Sequence, residues 1–303
     1  MRAGILGQKG GWHTEALMAA LARRGVAAEC FPISRLTARV AARPRLTAVA
    51  TSAVATPLDE FDVVFVRAIP GGSLEQIIFR VDALHRLEAA GVRVINSAAA
   101  IERGVDKYYT AALLEAAGVP TPPTIVTERW DDALAAFHEL GGDVVVKPLF
   151  GSEGRGMVRV TDVDTCYRVL RALELGRYVC CLQEFVPHGC ADIRTFVVGG
   201  QVIVAMLRRG TGWKSNAAQG AQCEPYDADA RVIELSVRSA EAVGAEYAGV
   251  DILPREDGGY SVLEVNTIPG WRALLSATGV DAAERLVDYV LEEGAVGSVK
   301  EVR

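Results

Sequence analysis

Short apolar runs alternate with amphipathic stretches from the first residues of the chain. AGILG (3–7) is an apolar run closed by glycine. TEALMAALARRG (14–25) repeats its apolar positions at helical spacing, with Glu15 in the first turn and Gly25 at the end. VAAECFPI (26–33) reads as a second strand, and FDVVFVR (61–67) is apolar almost throughout, as a parallel strand covered on both faces requires. A long helix over SLEQIIFRVDALHRLEAAG (73–91), capped by Ser73, leads into a strand at VRVIN (92–96). This β-α-β rhythm predicts an open parallel sheet in roughly the first 100 residues. ARVAARPRLTAVATSAVATPL (38–58) interrupts it and reads as an irregular connection.

The texture changes after Asn96. SAAAIERGVDKYYTAALLEAAG (97–118) holds two helical patterns, Pro120, Pro122 and Pro123 make a turn, and DDALAAFHELGG (131–142) is a further helix. From Tyr178 strands dominate: YVCCLQEFV, then IRTFVVGGQVIVAMLRRG, in which Gly199-Gly200 signals a tight hairpin. DADARVIELSVRSAEAVGA (227–245) is a helix, and the linker PREDGG makes YAGVDILP and GYSVLEVN a hairpin. Length alone calls for more than one hydrophobic core. The pattern divides as 1–97, an α/β unit; 98–182, a central α+β unit with a glycine-rich loop; and 183–303, a second α+β unit.

Half of the 303 residues are hydrophobic and 23% are charged, a soluble globular composition. The net charge of −6 argues against nucleic-acid binding through a basic surface. No apolar run is long enough to span a membrane, and the start, MRAGILGQKGG, reads as a strand rather than a secretory signal, so the expected compartment is the cytoplasm. The six cysteines form no C-x-x-C pair and read as free thiols, and the four histidines show no metal-ligand spacing.

Chemistry concentrates in the later units. VVVKPLFGSEGRGMVRV (144–160) carries Lys147 at the end of an apolar strand and a loop of Gly151, Ser152, Glu153, Gly154 and Gly156. Small residues let backbone N–H groups approach an anion, and the lysine adds fixed charge. A purely structural hairpin is the alternative. Lys107 opens a helix, where a solvated lysine is the competing reading. Gln183, Glu184, Phe185 and Val186 end a strand where a backbone edge can meet a flat base. Asp192 and Arg194 share one face of the next strand, either as site residues or as a surface ion-pair ladder. GTGWKSNAAQGA (210–221) is a polar loop with Lys214 and Asn216.

The stretch SVLEVNTIPGW (261–271) puts a carboxylate and an amide, Glu264 and Asn266, on one face of an apolar strand, with Leu263 and Val265 expected on the other. The hairpin brings Asp251 beside them. Hard oxygen donors without His or Cys suit Mg²⁺, with Mn²⁺ as an alternative. The competing reading pairs Asp251 and Glu264 each with an arginine, since bare buried carboxylates are costly.

In this order, DKYYT, VVVKPLFGSEGRGM, QEFV, DIRTFVVGGQVIVAM, KSN, AGVDIL, LEVNTIPG and TGVD resemble the ATP-grasp superfamily, specifically its RimK-like carboxylate–amine ligases, over residues 60–290. The resemblance implies an N-terminal parallel-sheet domain followed by two α+β subdomains enclosing ATP. It implies a ligase of the acid–amino-acid class, in which a carboxylate becomes an acyl phosphate and an amine, typically that of glutamate, displaces phosphate. Lys107, Lys147 and the loop from Gly151 to Gly156 would bind phosphates. Gln183 to Val186 would line the adenine pocket, with Asp192 on the nucleoside side. Asp251, Glu264 and Asn266 would hold the metal, and Arg194, Lys214 and Asn216 would stabilise the transferring phosphoryl group. Lys214 stands where the family often has arginine, so a bidentate contact is not expected there. VRAIPGGSLEQIIFRVDALHRLE and NTIPGWRALLSATGVD resemble a branch tied to tetrahydromethanopterin metabolism. A small carboxylate acceptor, glutamate and a dimer or tetramer of the chain are the implied partners. A protein C-terminus as acceptor, or a non-catalytic nucleotide-binding role, are the rivals. Trp271 could stack on a ring or simply pack, while Arg67 and Arg272 could hold carboxylates.

Overall fold

A computed structural model describes residues 1–50, 54–151, 154–217 and 220–300. The chain begins β1 (Arg2–Leu6), α1 (Trp12–Arg23), β2 (Ala27–Phe31), β3 (Leu36–Ala38), β4 (Leu46–Ala48), β5 (Thr56–Pro57), β6 (Val63–Val66), α2 (Leu74–Glu88), β7 (Arg93–Ile95). Strands β2-β1-β6-β7 form a parallel sheet, and all four residues of β6 are buried, as cover on both faces demands. Ser73 caps α2 in a reciprocal pair with Gln76 (3.1 and 3.3 Å).

One expectation fails in this unit. The described residues of the stretch at 38–58 are not irregular throughout, because β4 and β5 form a small antiparallel sheet with β3. Strands of two or three residues are too short for a period-2 pattern to register. Burial holds them instead, through Leu36, Leu46 and Ala48 beside Leu58.

The middle of the chain runs α3 (Ala98–Val105), α4 (Lys107–Ala116), β8 (Thr124–Thr127), α5 (Trp130–Glu139), β9 (Val144–Lys147), β10 (Val158–Val160), α6 (Val163–Leu175), β11 (Cys180–Glu184). A four-stranded sheet, β10-β9-β11-β8, is backed by α5 and α6. The division after residue 182 falls inside β11, which pairs with β9 as far as Glu184. Helix α6 is capped by Asp162, whose carboxylate accepts from Thr165 N (2.8 Å), and it buries Cys166 and Leu170.

The last part holds β12 (Ala191–Val198), β13 (Gln201–Arg209), β14 (Gln222–Pro225), α7 (Ala230–Val243), β15 (Tyr247–Pro254), β16 (Tyr260–Asn266), α8 (Arg272–Thr278), α9 (Ala282–Lys300). The antiparallel order is β14-β13-β12-β15-β16. Gly199 and Gly200 turn the β12–β13 hairpin at φ of 55° and 73°, backbone that side chains resist. Helices α4 and α7 cover one face of this sheet. On its other side, Phe196 and Tyr247 share a core with Ile5, Phe65 and Ile95 of the first sheet and with Trp271 and Leu286.

Asn96 ties these two sheets together. Fully buried, its Nδ2 donates to Tyr247 O and Thr267 O (both 2.7 Å), and its Oδ1 accepts from the N–H groups of Glu246 (2.8 Å) and Tyr247 (3.1 Å). All four hydrogen-bonding positions of the amide are used. Asn96→Ala strands four buried backbone groups, each costing about 1–3 kcal/mol, so a loss of at least ~3 kcal/mol is expected in urea unfolding. A loss below about 1 kcal/mol contradicts this account.

Candidate active site

A cleft of about 680 Å³, counted with its open mouth, lies between the central sheet and the sheet of β12–β16. Of the residues singled out from sequence, Lys107, Lys147, Gly154, Gln183, Glu184, Phe185, Val186, Asp192, Lys214, Asn216, Asp251 and Glu264 line it. Arg194 and Asn266 do not line it directly. Ser152 and Glu153 lie outside the described residues.

Lys107 follows Asp106, whose carboxylate caps α4 by accepting from Tyr108 N and Tyr109 N. The Lys107 ammonium donates to Gly151 O (2.7 Å), and that of Lys214 to Gly154 O (3.3 Å), so both cations already meet the glycine loop. Gly154 sits at φ +69°, backbone that side chains resist, and a Cβ there would lie 2.5 Å from Asn216 Oδ1. Gly151 contributes its carbonyl, and Gly156 turns the loop at φ +73°.

Lys147 ends β9 buried, its ammonium donating to Gln183 Oε1 (2.5 Å) while Gln183 Nε2 donates to Thr124 Oγ1 (2.9 Å). Burial lowers its pKa to about 8, an effect that Glu264 and Asp251 partly offset and Lys107 reinforces. The side chain of Gln183 is therefore turned onto a lysine, which leaves the backbone of Glu184 to Val186 as the edge facing the cleft. Phe185 is sandwiched from outside by Arg159, 3.4 Å above its ring and itself forked onto Asp143. His188 joins this segment to the Lys214 loop, with ring nitrogens at Val186 O (2.7 Å) and Trp213 O (3.0 Å).

The other wall is a line of buried charge. Arg208 forks onto Asp192 with two 2.6 Å bonds and reaches Asp251 Oδ1 at 2.9 Å; Arg194 Nη1 donates to the same oxygen at 2.6 Å. Sheet register causes this, since Asp192 pairs with Arg208 and Arg194 with Asp251 across neighbouring strands. Burial pushes Asp192 up against the pull of Arg208. For Asp251 burial acts the same way, but Arg194 and Arg208 outweigh it and hold the carboxyl below its usual range. Arg208 was not among the candidates; a strand-terminal Arg-Arg pair carries no sign of which neighbour faces an acid.

The arginine-pairing alternative thus holds for Asp251, whereas Glu264 makes no ion pair or hydrogen bond among the described residues. Burial, then the charge of Asp251 opposite it, push the Glu264 carboxyl up. Two carboxylates facing each other across the hairpin, one held by arginines and one with no partner among the described residues, fit a divalent cation coordinated by oxygen. Asn266 follows, opposite Gly249, its Oδ1 accepting from Ile268 N (3.0 Å).

Strict alternation along this strand is overturned. Pairing steps from Asp251–Glu264 to Ile252–Val262, a bulge that leaves Leu263 without an opposite partner. Leu263 consequently joins Glu264 in lining the cleft, while Val262 and Val265 enter the core.

Trp271 proves to be packing. It is fully buried, edge-on to His13 (4.8 Å) and Phe196 (6.0 Å), with the Arg67 guanidinium 4.3 Å from its ring. No face is left to stack on a ligand. Arg67 donates to Tyr247 Oη (3.0 Å) and Pro269 O (2.7 Å) instead of waiting for a carboxylate, and exposed Arg272 lies 6.0 Å from the Trp12 ring. Burial, then Arg67 and Arg272, lower the pKa of His13 to about 4, so its neutral Nε2 can accept from Trp271 N (3.0 Å). The six cysteines are free thiols.

A family model of the RimK-like ATP-grasp domain matches residues 104–290. A tetrahydromethanopterin:alpha-L-glutamate ligase of Methanococcus maripaludis is 33% identical over 96% of this chain and 98% of that protein. A ligase of the same name from Methanosarcina acetivorans is 33% identical over 77% of this chain and 81% of its own length. The solved ATP-grasp ligase PsnB, complexed with a minimal precursor, Mg and ADP, shares the fold at a TM-score of 0.72 and 22% identity, covering 96% of this chain and 97% of that one. With the cleft, the cations and the acid pair in place, the chain belongs to the RimK-like ATP-grasp family, ATP-dependent carboxylate–amine ligases that use Mg²⁺.

Proposed function

We propose that this protein joins glutamate to a carboxylate of a tetrahydromethanopterin-type pterin at the expense of ATP. The observation that carries the reading is the 33% identity to a tetrahydromethanopterin:alpha-L-glutamate ligase along 96% of the chain. A carboxylate oxygen of the acceptor attacks the γ-phosphorus and the bond to ADP breaks; the glutamate nitrogen then attacks the acyl carbon, phosphate leaves, and the nitrogen sheds a proton. Neither step needs a nucleophilic side chain, because phosphoryl transfer of this kind rests on positioning and charge neutralisation.

In this reading Lys107, Lys147 and the backbone from Gly151 to Gly156 hold phosphates, and the segment from Gln183 to Val186 holds the adenine. Asp192, which lines the cleft, would contact the nucleoside side. Asp251, Glu264 and Asn266 would hold Mg²⁺, or Mn²⁺ on the same oxygen donors, and the metal supplies charge neutralisation of the triphosphate. Lys214 and Asn216, which line the cleft, would face the group being transferred, and Arg194, set behind the lining against Asp251, would stabilise it. A cytoplasmic location belongs to this reading. Separately, no helix among the described residues is long and apolar enough to cross a membrane. It forms a dimer or tetramer, for which exposed Leu74, Ile77 and Ile78 at helical spacing on α2 offer a surface.

The test is ADP release by purified protein with Mg²⁺, glutamate and a panel of pterin, deazaflavin and peptide acceptors, with products identified by mass spectrometry. Glutamylated pterin is expected. A modified peptide alone moves the reading to a protein C-terminus, and ATP binding without turnover moves it to a non-catalytic role. Glu264→Ala is expected to stay folded and lose turnover by about 10³-fold or more; a wild-type rate in that variant refutes the metal assignment.

Lys147 sets a pH dependence. Burial holds its pKa at about 8. Phosphate binding favours the charged form, so ATP affinity is steady below that pH and falls by up to about tenfold per unit above it. Calorimetry between pH 6.5 and 9.5 should show this fall in wild type and a flatter, weaker profile in Lys147→Met. Identical profiles contradict the role of Lys147.

A further inference from the structure

Gly249 sits in the middle of β15, where glycine weakens a strand and offers no side chain to pack. Its φ is outside the left-handed region, so the backbone does not require it. Space requires it. A Cβ at this position would lie 2.5 Å from both Nε and Nη2 of Arg194 and closer still to Cζ, whereas real Cβ contacts essentially never fall under 3.0 Å. The guanidinium therefore lies flat over the bare backbone of residue 249, buried, with Nη1 turned to Asp251 Oδ1 at 2.6 Å.

The neighbours make this more than a packing gap. On β12, Arg194 stands opposite Asp251, two residues beyond Gly249; on β16, Asn266 stands opposite Gly249 itself. The floor left by the missing side chain thus borders Asp251, Asn266 and the guanidinium together. The guanidinium has little room to retreat. It belongs to the buried line Asp192–Arg208–Asp251–Arg194, and swinging it away from residue 249 would strip Asp251 of one of its two arginines in a desolvated site.

We infer that Gly249 is a positioning residue for phosphoryl transfer, seating the Arg194 guanidinium between Asp251 and β16 by presenting no side chain. This rests on the reading that Arg194 serves the transferred phosphoryl group. Alanine at 249 suits the strand at least as well as glycine, so the substitution separates side-chain displacement from backbone damage.

The experiment compares wild type, Gly249→Ala, Arg194→Ala and the double variant by acceptor-dependent ADP release, ADP calorimetry and urea unfolding. Gly249→Ala is expected to lower kcat about 30-fold or more with the KM for ATP within about threefold, because the adenine edge is elsewhere. In the Arg194→Ala background the same change is expected to alter kcat less than about twofold, since the atoms that a Cβ meets are gone. Unfolding follows the same cycle without any acceptor: Gly249→Ala shifts the urea midpoint downward in wild type and leaves it level or higher in Arg194→Ala. Should Gly249→Ala fail to accumulate, the double variant should still fold. The inference is overturned by near-wild-type kcat in Gly249→Ala, by losses that multiply in the double variant, or by failure of both to fold. A wild type without turnover refutes the ligase reading instead, and the unfolding cycle then decides alone whether Gly249 seats Arg194.

Discussion

Four buried charges in contact, Asp192, Arg208, Asp251 and Arg194, are the constraint around which the second half of the molecule is arranged. Removing such ions from water costs several kcal/mol each, recovered only with close and complete pairing. Here the pairing is complete within the line: two acids, two arginines, hydrogen bonds of 2.6 Å at three of the four contacts. That geometry exists only in one register. Ile193, Val250 and Ile252, interleaved with these charged residues, enter the core under α7, and a one-residue slip would exchange the two sets. The apolar face under α7 thus fixes the polar face in the cleft. Hydrophobic burial supplies the energy, and the ion pairs select the register.

Glu264 stands outside this balance. It faces Asp251 across the hairpin but has no arginine of its own, so its carboxyl is pushed up while that of Asp251 is held down. Across the cleft, Lys147 is pushed the other way by the same loss of water. A buried lysine on one wall and a carboxyl without an arginine on the other are the charges that the proposed polyanion and cation would each offset.

Much of this was legible from spacing. The parallel sheet, the Ser73 cap, the Gly199-Gly200 hairpin and the pairing of Asp251 with Glu264 all follow from local patterns, because turn chemistry and alternation are local properties. What escaped depends on which strand lies beside which. Arg208 became part of the site through cross-strand register, Leu263 entered the cleft through a bulge, and β3–β5 are too short to show a period. Trp271 was equally open to stacking and packing, since composition cannot tell a ring over a ligand from a ring between two sheets. Its burial between His13, Arg67 and Phe196 settles the matter only once the first and last sheets are seen to share a core.

The segment after β16 has a different task from the one its sequence suggested. Residue by residue it is fastened to the N-terminal unit: Thr267 O accepts from Asn96, Pro269 O from Arg67, and Trp271 N donates to His13. The last of these requires a neutral imidazole, which burial beside Arg67 and Arg272 secures. Because Asn96 also binds Glu246 N and both backbone groups of Tyr247 at the entrance to β15, the two strands carrying the acids are indexed to the first sheet at their adjoining ends. Lys147 and the glycine loop are indexed to the central sheet instead. Lys147 therefore stands on a different sheet from the acid pair, and the distance between them is set by how the central sheet sits over the rest, whereas Lys107 opens α4, which packs on the acids' own sheet.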